Sequence, residues 1–181
     1  MIYKKEVILK DGTPCLVRSA GKEDAQAAYD CFMLTHEETD WLLSYADENS
    51  FTVEGEGEFL ARQEASENAV ELCAVADGHL AGLAGIEPIG PKDKVKHRAD
   101  FGISIERAYW GKGMGWQLTQ ACIECARKAG YLQLELEAVS ENAAAIALYE
   151  KAGFREYGRN PKGFRTRDGR WQELVLMRLE L

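Results

Sequence analysis

The chain has 181 residues, 46% of them apolar and 29% charged, with a net charge of −8. That length fits one domain, 1–181, able to bury a core without disulfide or metal staples, and the acidic balance argues against nucleic acid as the main partner. No apolar run approaches the roughly 18 residues of a membrane span, and Met1–Glu6 lacks the apolar stretch of a signal peptide, so no membrane association and a cytoplasmic location are the expectations.

In chain order, Val7–Leu9 and Cys15–Arg18 flank an Asp11-Gly12 turn and read as a short hairpin. Lys22–Leu34 carries Ala25, Ala28, Tyr29 and Phe32 at helical spacing. Glu37–Tyr45 reads as a further short helix and Glu56–Asn68 as another, with Phe59, Leu60 and Gln63 on one stripe. Between Thr35 and Glu67 lie ten carboxylates (Glu37, Glu38, Asp40, Asp47, Glu48, Glu54, Glu56, Glu58, Glu64, Glu67) against one base, Arg62. This is a solvated helical face or an attractant for a cationic amine. Glu71–Ala76 and His79–Glu87 are joined by Asp77-Gly78, a strong hairpin signal. Ile89–His97 reads as a loop, its lysines a solvated tip.

Ala99–Glu106 is a predicted strand with Phe101, Ile103 and Ile105 on one face. A glycine-rich loop follows, then a helix to about Ala129 with Leu118, Ala121, Cys122, Cys125 and Ala126 inward, closed by Gly130. Leu132–Ala138 is a strand, Asn142–Ala152 a helix ending at Gly153, and Phe154–Tyr157 and Gln172–Leu179 are strands, with Asp168-Gly169 turning the last hairpin. The order is mixed β and α around a strand–loop–helix–strand unit. Five cysteines at irregular spacing argue against a disulfide framework, and Cys122-x-x-Cys125 reads as buried helix-face thiols. His36, His79 and His97 are too scattered to form a metal-ligand set, and Ser104 lacks a recognisable His–Asp partner.

The chemistry concentrates in Tyr109–Trp116, Tyr-Trp-Gly-Lys-Gly-Met-Gly-Trp. Glycines permit positive φ and close approach of backbone to a ligand, and a helix N-terminus adds free N–H donors and partial positive charge, which together cradle phosphate. A P-loop would need Ser or Thr after Lys112, where this chain has Gly113. A dinucleotide-binding loop usually opens its domain and has an acidic residue about 20 positions on; Glu135 and Glu137 fall near that distance, but this loop comes late in the chain.

Some thirty residues later runs Glu141-Asn142-Ala143-Ala144-Ala145-Ile146-Ala147-Leu148-Tyr149-Glu150-Lys151-Ala152-Gly153-Phe154. With the Gly-x-Gly-x-Gly turn, this Asn-x-x-Ala-x-x-Leu-Tyr-x-x-x-Gly-Phe pattern resembles the GCN5-related N-acetyltransferase (GNAT) superfamily, from Cys15 to Leu181. The family more often carries Arg or Gln where this chain has Trp110, which removes a side-chain contact and leaves the backbone donors. The resemblance implies an α/β GNAT fold, a mixed central sheet of about seven strands flanked by helices, with acetyl-CoA in the gap between splayed parallel central strands. Those strands would be Ala99–Glu106 and Leu132–Ala138.

By that resemblance the pantetheine arm lies against Ile103, Ser104 and Ile105, and the pyrophosphate on the amides of Gly111, Lys112, Gly113, Met114, Gly115 and Trp116. Asn142, otherwise a plain helix cap, also contacts the cofactor, and the Tyr149 hydroxyl protonates the departing thiolate. An ammonium is not nucleophilic, so acyl transfer needs a base; Glu137 and Asp100 are the candidates, with Glu87 and Glu173 weaker candidates for gripping the amine. Backbone N–H near Ile105 would hold the oxyanion. The expected partner is a small-molecule amine acceptor. A protein N-terminal acetyltransferase of the ribosomal-protein type and a non-catalytic acyl-CoA sensor are the alternatives, and the last strands leave room for a homodimer.

Overall fold

The computed structural model describes residues 1–50 and 52–181. All eight strands join one sheet: β1 (Lys4–Ile8), β2 (Pro14–Ser19), β3 (Val70–Ala76), β4 (His79–Pro88), β5 (Arg98–Ile105), β6 (Gln133–Val139), β7 (Arg155–Arg165) and β8 (Trp171–Glu180), in the order β1-β2-β3-β4-β5-β6-β8-β7. Four helices cover it: α1 (Ala25–Glu38), α2 (Val53–Ala65), α3 (Met114–Lys128) and α4 (Ala143–Ala152). This is the mixed α/β architecture expected, with one strand more than about seven.

Local chemistry accounts for most boundaries. Asp77 and Gly78 both take positive φ, 52° and 79°, as a tight two-residue hairpin requires. Thr52 caps α2 by accepting from the Gly55 amide at 3.1 Å, and Asn142 caps α4 by accepting from the Ala145 amide at 3.2 Å. Gly130 and Gly153 end α3 and α4 in the left-handed conformation, at φ 83° and 102°.

Every strand pair is antiparallel except β5 with β6. That parallel pair registers only at Arg98, Ala99 and Asp100, opposite Gln133, Leu134 and Glu135. Beyond Asp100 the strands part, while β5 stays paired to β4 through Ile105 and β6 to β8 through Val139. The parting leaves one edge of β5 and one edge of β6 with backbone groups facing each other across a gap.

The two sheet faces differ. Phe101, Ile103 and Ile105 join Leu134, Leu136 and Ala138 in a core beneath α3, with Leu118, Ala121, Cys122, Cys125 and Ala126 inward as predicted. The opposite face of β3 and β4 packs Cys73, Leu80 and Leu83 against Ala28 and Cys31 of α1 and Leu60 of α2. All five cysteines are free and buried, and burial raises their thiol pKa values. No described helix is long and apolar enough to cross a membrane.

Two predicted elements differ. The helix expected over Glu37–Tyr45 does not form: Glu37 and Glu38 complete α1, Thr39 is extended, and 39–45 is irregular. Tertiary contacts hold that segment instead. The Thr39 hydroxyl accepts from the Trp41 amide, Trp41 stacks on Trp110 with centroids 5.6 Å apart, and Asp40 pairs with Arg170 at 3.7 Å. The strand expected over Phe154–Tyr157 runs from Arg155 to Arg165, with irregular register at Glu156/Gly158 and Asn160/Phe164. Polar, solvent-facing residues there hide the alternation that marks a strand.

Candidate active site

The gap between β5 and β6 opens into a cleft of about 1140 Å³. It gathers Asp100, Ile103, Ser104, Ile105, Gly111, Lys112, Gly113, Met114, Gly115, Trp116, Glu137, Asn142 and Tyr149 in its lining.

At one end lies the glycine loop. Gly111 and Gly113 adopt φ 75° and 93°, and Gly113 is the cap of α3. The Lys112 carbonyl accepts from the Lys10 amide at 2.9 Å, and Lys112 Nζ lies 3.3 Å from Asp11, so the β1–β2 turn anchors the loop. Gln117 is the first amide beyond the loop to donate within the chain, to the Gly113 carbonyl at 3.3 Å. Among the described residues none of the amides from Gly111 to Trp116 donates to another group of the protein. These donors and the positive end of α3 favour an anion. A Cβ on Gly115 would come within 3.2 Å of Leu148 and 3.3 Å of Ile105, which is why α3 can lie this close to α4 and β5.

Tyr149 stands on the α4 wall, 7% exposed, edge-on to Phe101 at 6.1 Å and tilted against Phe154 at 6.0 Å. Burial raises its pKa far above the ordinary value, so the phenol is protonated at neutral pH. No hydrogen bond ties its hydroxyl among the described residues.

On the other face of the sheet stand Asp100, Glu135 and Glu137, brought together by strand alternation and the β5–β6 register. Glu135 is buried and bonded to both Nε and Nη2 of Arg98, which lowers its pKa. Asp100 has its pKa raised, first by crowding of the cleft walls that displaces water, then by the charges of Glu137, Glu135 and Glu87. Glu137 is exposed and makes no ion pair among the described residues.

The weaker candidates fall away. Glu87 accepts from Gln63 Nε2 at 2.6 Å and Glu173 from Arg159 at 2.7 Å, and neither lines the cleft. The acidic Thr35–Glu67 segment is partly neutralised: Glu38 accepts from the Arg107 amide at 2.6 Å, Asp47 pairs with Arg167 and Asp40 with Arg170.

Sequence reasoning missed the wall formed by Trp41, Leu42, Leu43, Ile89, Tyr157 and Phe164. Its members come from three separated segments with no common motif; the Trp41-Leu42-Leu43 run amid acidic residues was the available signal. It also missed what Trp110 does. The indole N–H donates to the Ile105 carbonyl at 2.7 Å, and the ring supports Trp41.

The family model for the acetyltransferase (GNAT) family matches residues 29–154. An L-methionine sulfoximine/L-methionine sulfone acetyltransferase of Pseudomonas aeruginosa is 33% identical over 106 residues, 59% of this chain and 61% of that protein. A [Ribosomal protein bS18]-alanine N-acetyltransferase of Escherichia coli is 37% identical over 81 residues, 45% of this chain and 54% of that one. The chain thus spans less than two thirds of the length of these curated relatives. Among solved structures, an acetyltransferase of the GNAT family from Streptococcus pneumoniae superposes with a TM-score of 0.88 at 30% identity, over 92% of this chain and 99% of that one.

Proposed function

The chain belongs to the acetyltransferase (GNAT) family, and from that premise we propose that it transfers an acetyl group from acetyl-CoA to a primary amine of a small molecule, both bound at once. One observation carries the reading: a single cleft has free backbone donors at one end and also holds a buried phenol and two carboxylates that, among the described residues, have no ion-pair partner.

In this reading the diphosphate rests on the amides of Gly111–Trp116, and the pantetheine arm runs along Ile103, Ser104 and Ile105, whose strand edge offers it hydrogen-bonding groups. Asn142 and Lys151 line the same wall of the cleft. Asp100 or Glu137, directly or through water, removes a proton from the ammonium. The amine nitrogen then attacks the thioester carbonyl carbon, and a backbone N–H near Ile105 steadies the oxyanion. The C–S bond breaks, the thiolate takes the Tyr149 proton, and the second proton lost by the adduct nitrogen restores the phenol. An ammonium and acetyl-CoA thus become an amide, free CoA and one released proton. No side chain is acylated.

The test is thiol release from acetyl-CoA across a panel of primary amines and N-terminal peptides. Turnover with small amines supports the proposal. Turnover confined to peptides favours the second reading, a protein N-terminal acetyltransferase, which the 37% match to the ribosomal-protein enzyme supports. CoA binding with no turnover on any acceptor, unchanged in Tyr149→Phe, leaves an acyl-CoA sensor.

A further inference from the structure

We infer that the acceptor is a primary ammonium on an apolar body with no acid group beside the amine, an arylalkyl- or alkylamine rather than an amino acid. This rests on the acetyl-transfer reading for the pocket's identity as the acceptor site. Three observations carry it.

First, the cleft is electrically polar. Among its described lining residues the cations are Lys10, Lys112 and Lys151, and the carboxylates are Asp100, Glu135 and Glu137. The lysines gather around the glycine loop: the Lys10 stem lies against Gly113, Lys112 pairs with Asp11, and Lys151 sits 4.5 Å over the Trp116 ring. The carboxylates sit on the opposite sheet face. An anion is favoured at one end and a cation at the other.

Second, among the described residues no cation lines the cleft at the carboxylate end. Arg98 is held by Glu135 through two nitrogens. On the nearby β7–β8 hairpin, Arg159 pairs with Glu156 and Glu173, Arg167 with Asp47, and Arg170 with Asp168 and Asp40, while Arg178, cross-strand from Glu135, lies over the Tyr157 ring and 3.7 Å from Glu180. An α-carboxylate entering here would meet Asp100 and Glu137 with no counter-charge among the lining residues, which is discrimination by repulsion.

Third, the same cleft carries apolar lining held in place by contacts from distant segments. Trp41, Leu42, Leu43, Tyr157 and Phe164 all belong to it. Residues 41–45 are clamped at both ends, by Trp41 stacked on Trp110 and by Arg167, whose guanidinium lies 4.1 Å over the Tyr45 ring and whose amide donates to the Tyr45 hydroxyl at 3.1 Å. Leu43 remains 84% exposed, an apolar side chain at the mouth of the cleft with nothing over it.

Calorimetric binding to the full chain in the presence of CoA tests this without relying on turnover. The probes are phenethylamine, phenylalaninamide, phenylalanine and ethanolamine. Phenethylamine and phenylalaninamide are expected to bind at least about tenfold more tightly than phenylalanine, which differs from its amide only by the carboxylate, and more tightly than ethanolamine, which lacks the apolar body. Asp100→Asn with Glu137→Gln should bring the amide-to-acid ratio close to one, and Trp41→Ala should erase the advantage over ethanolamine. Phenylalanine binding as well as its amide, ratios unmoved by the variants, or no binding by any probe overturns the inference. If binding discriminates as expected while none of these amines is acetylated, the transferase reading falls and the selectivity of the pocket stands.

Discussion

At the scale of single residues, the site works through groups held in unusual protonation states or conformations. Burial keeps the Tyr149 phenol protonated and therefore able to donate. Tyr149→Phe should lower kcat about 10²-fold, the lower end of what a positioned acid contributes, with the CoA dissociation constant little changed. Steady-state rates beside calorimetry check both halves; an equal loss of affinity would make Tyr149 a binding group. Asp100 must be ionised to accept a proton, and its pKa is raised above the ordinary 3.8 by crowding and neighbouring carboxylates. The acid limb of kcat/KM should therefore rise with pH through a value above that, and Asp100→Asn should abolish or displace the limb; an unchanged profile hands the role to Glu137. Gly113 carries φ 93°, and an added Cβ would lie 3.3 Å from Lys10 Cγ. Gly113→Ala forces a left-handed L-residue, at a cost of about 1–2 kcal/mol, into the loop that faces the diphosphate. We expect weaker CoA binding by calorimetry, and undiminished affinity would remove the cradle from the account.

At the scale of elements, caps and turns were legible because they are local. Asp77-Gly78, Gly130 and Gly153 all take the conformations their chemistry prescribes, and Asn142 both starts α4 and lines the cleft. Asn142→Ala removes a cap worth about 1 kcal/mol. A fall of that order in chemical denaturation is expected; a larger drop in CoA affinity than in stability would separate ligand contact from capping. The irregular segment after α1 was not legible, because its conformation is fixed by Trp110, Arg167 and Arg170, which lie far along the chain. Helical spacing reports only neighbours within a few residues, so it extended a helix where distant side chains had claimed the backbone. The full length of β7 was hidden for a similar reason: a mostly exposed strand carries little apolar alternation, and its pairing with β8 decides it.

At the scale of the whole molecule, the sheet carries a row of carboxyl groups whose burial makes stability pH-dependent. Glu71 is held over Gly85, where an added Cβ would meet its Oε2, and its pKa is pushed up to about 8 by burial and by the nearby charges of Glu56 and Glu87. In the unfolded chain it would ionise near its ordinary 4.5. Between those two values the folded state holds the extra proton, so stability falls as pH rises through that window. The thermal midpoint should decline from about pH 5 to pH 8, and Glu71→Gln should flatten the decline; a slope unaffected by that change would place its origin elsewhere. Glu135 and Asp24, lowered by Arg98 and Arg18, act in the opposite sense and below that window, losing their contribution as acid protonates them. The glycine loop, the capped α4 with Tyr149, most element boundaries and the family resemblance could be read along the chain, because each is written in residues adjacent in it or a few turns apart. It took the folded arrangement to part β5 from β6 after Asp100, to pair Arg167 and Arg170 of the last hairpin with the segment after α1, and to give one cleft both lysines beside the glycine loop and the carboxylates Asp100 and Glu137 with an apolar wall. Those outcomes depend on groups from distant segments meeting in space, and no spacing along the chain encodes them.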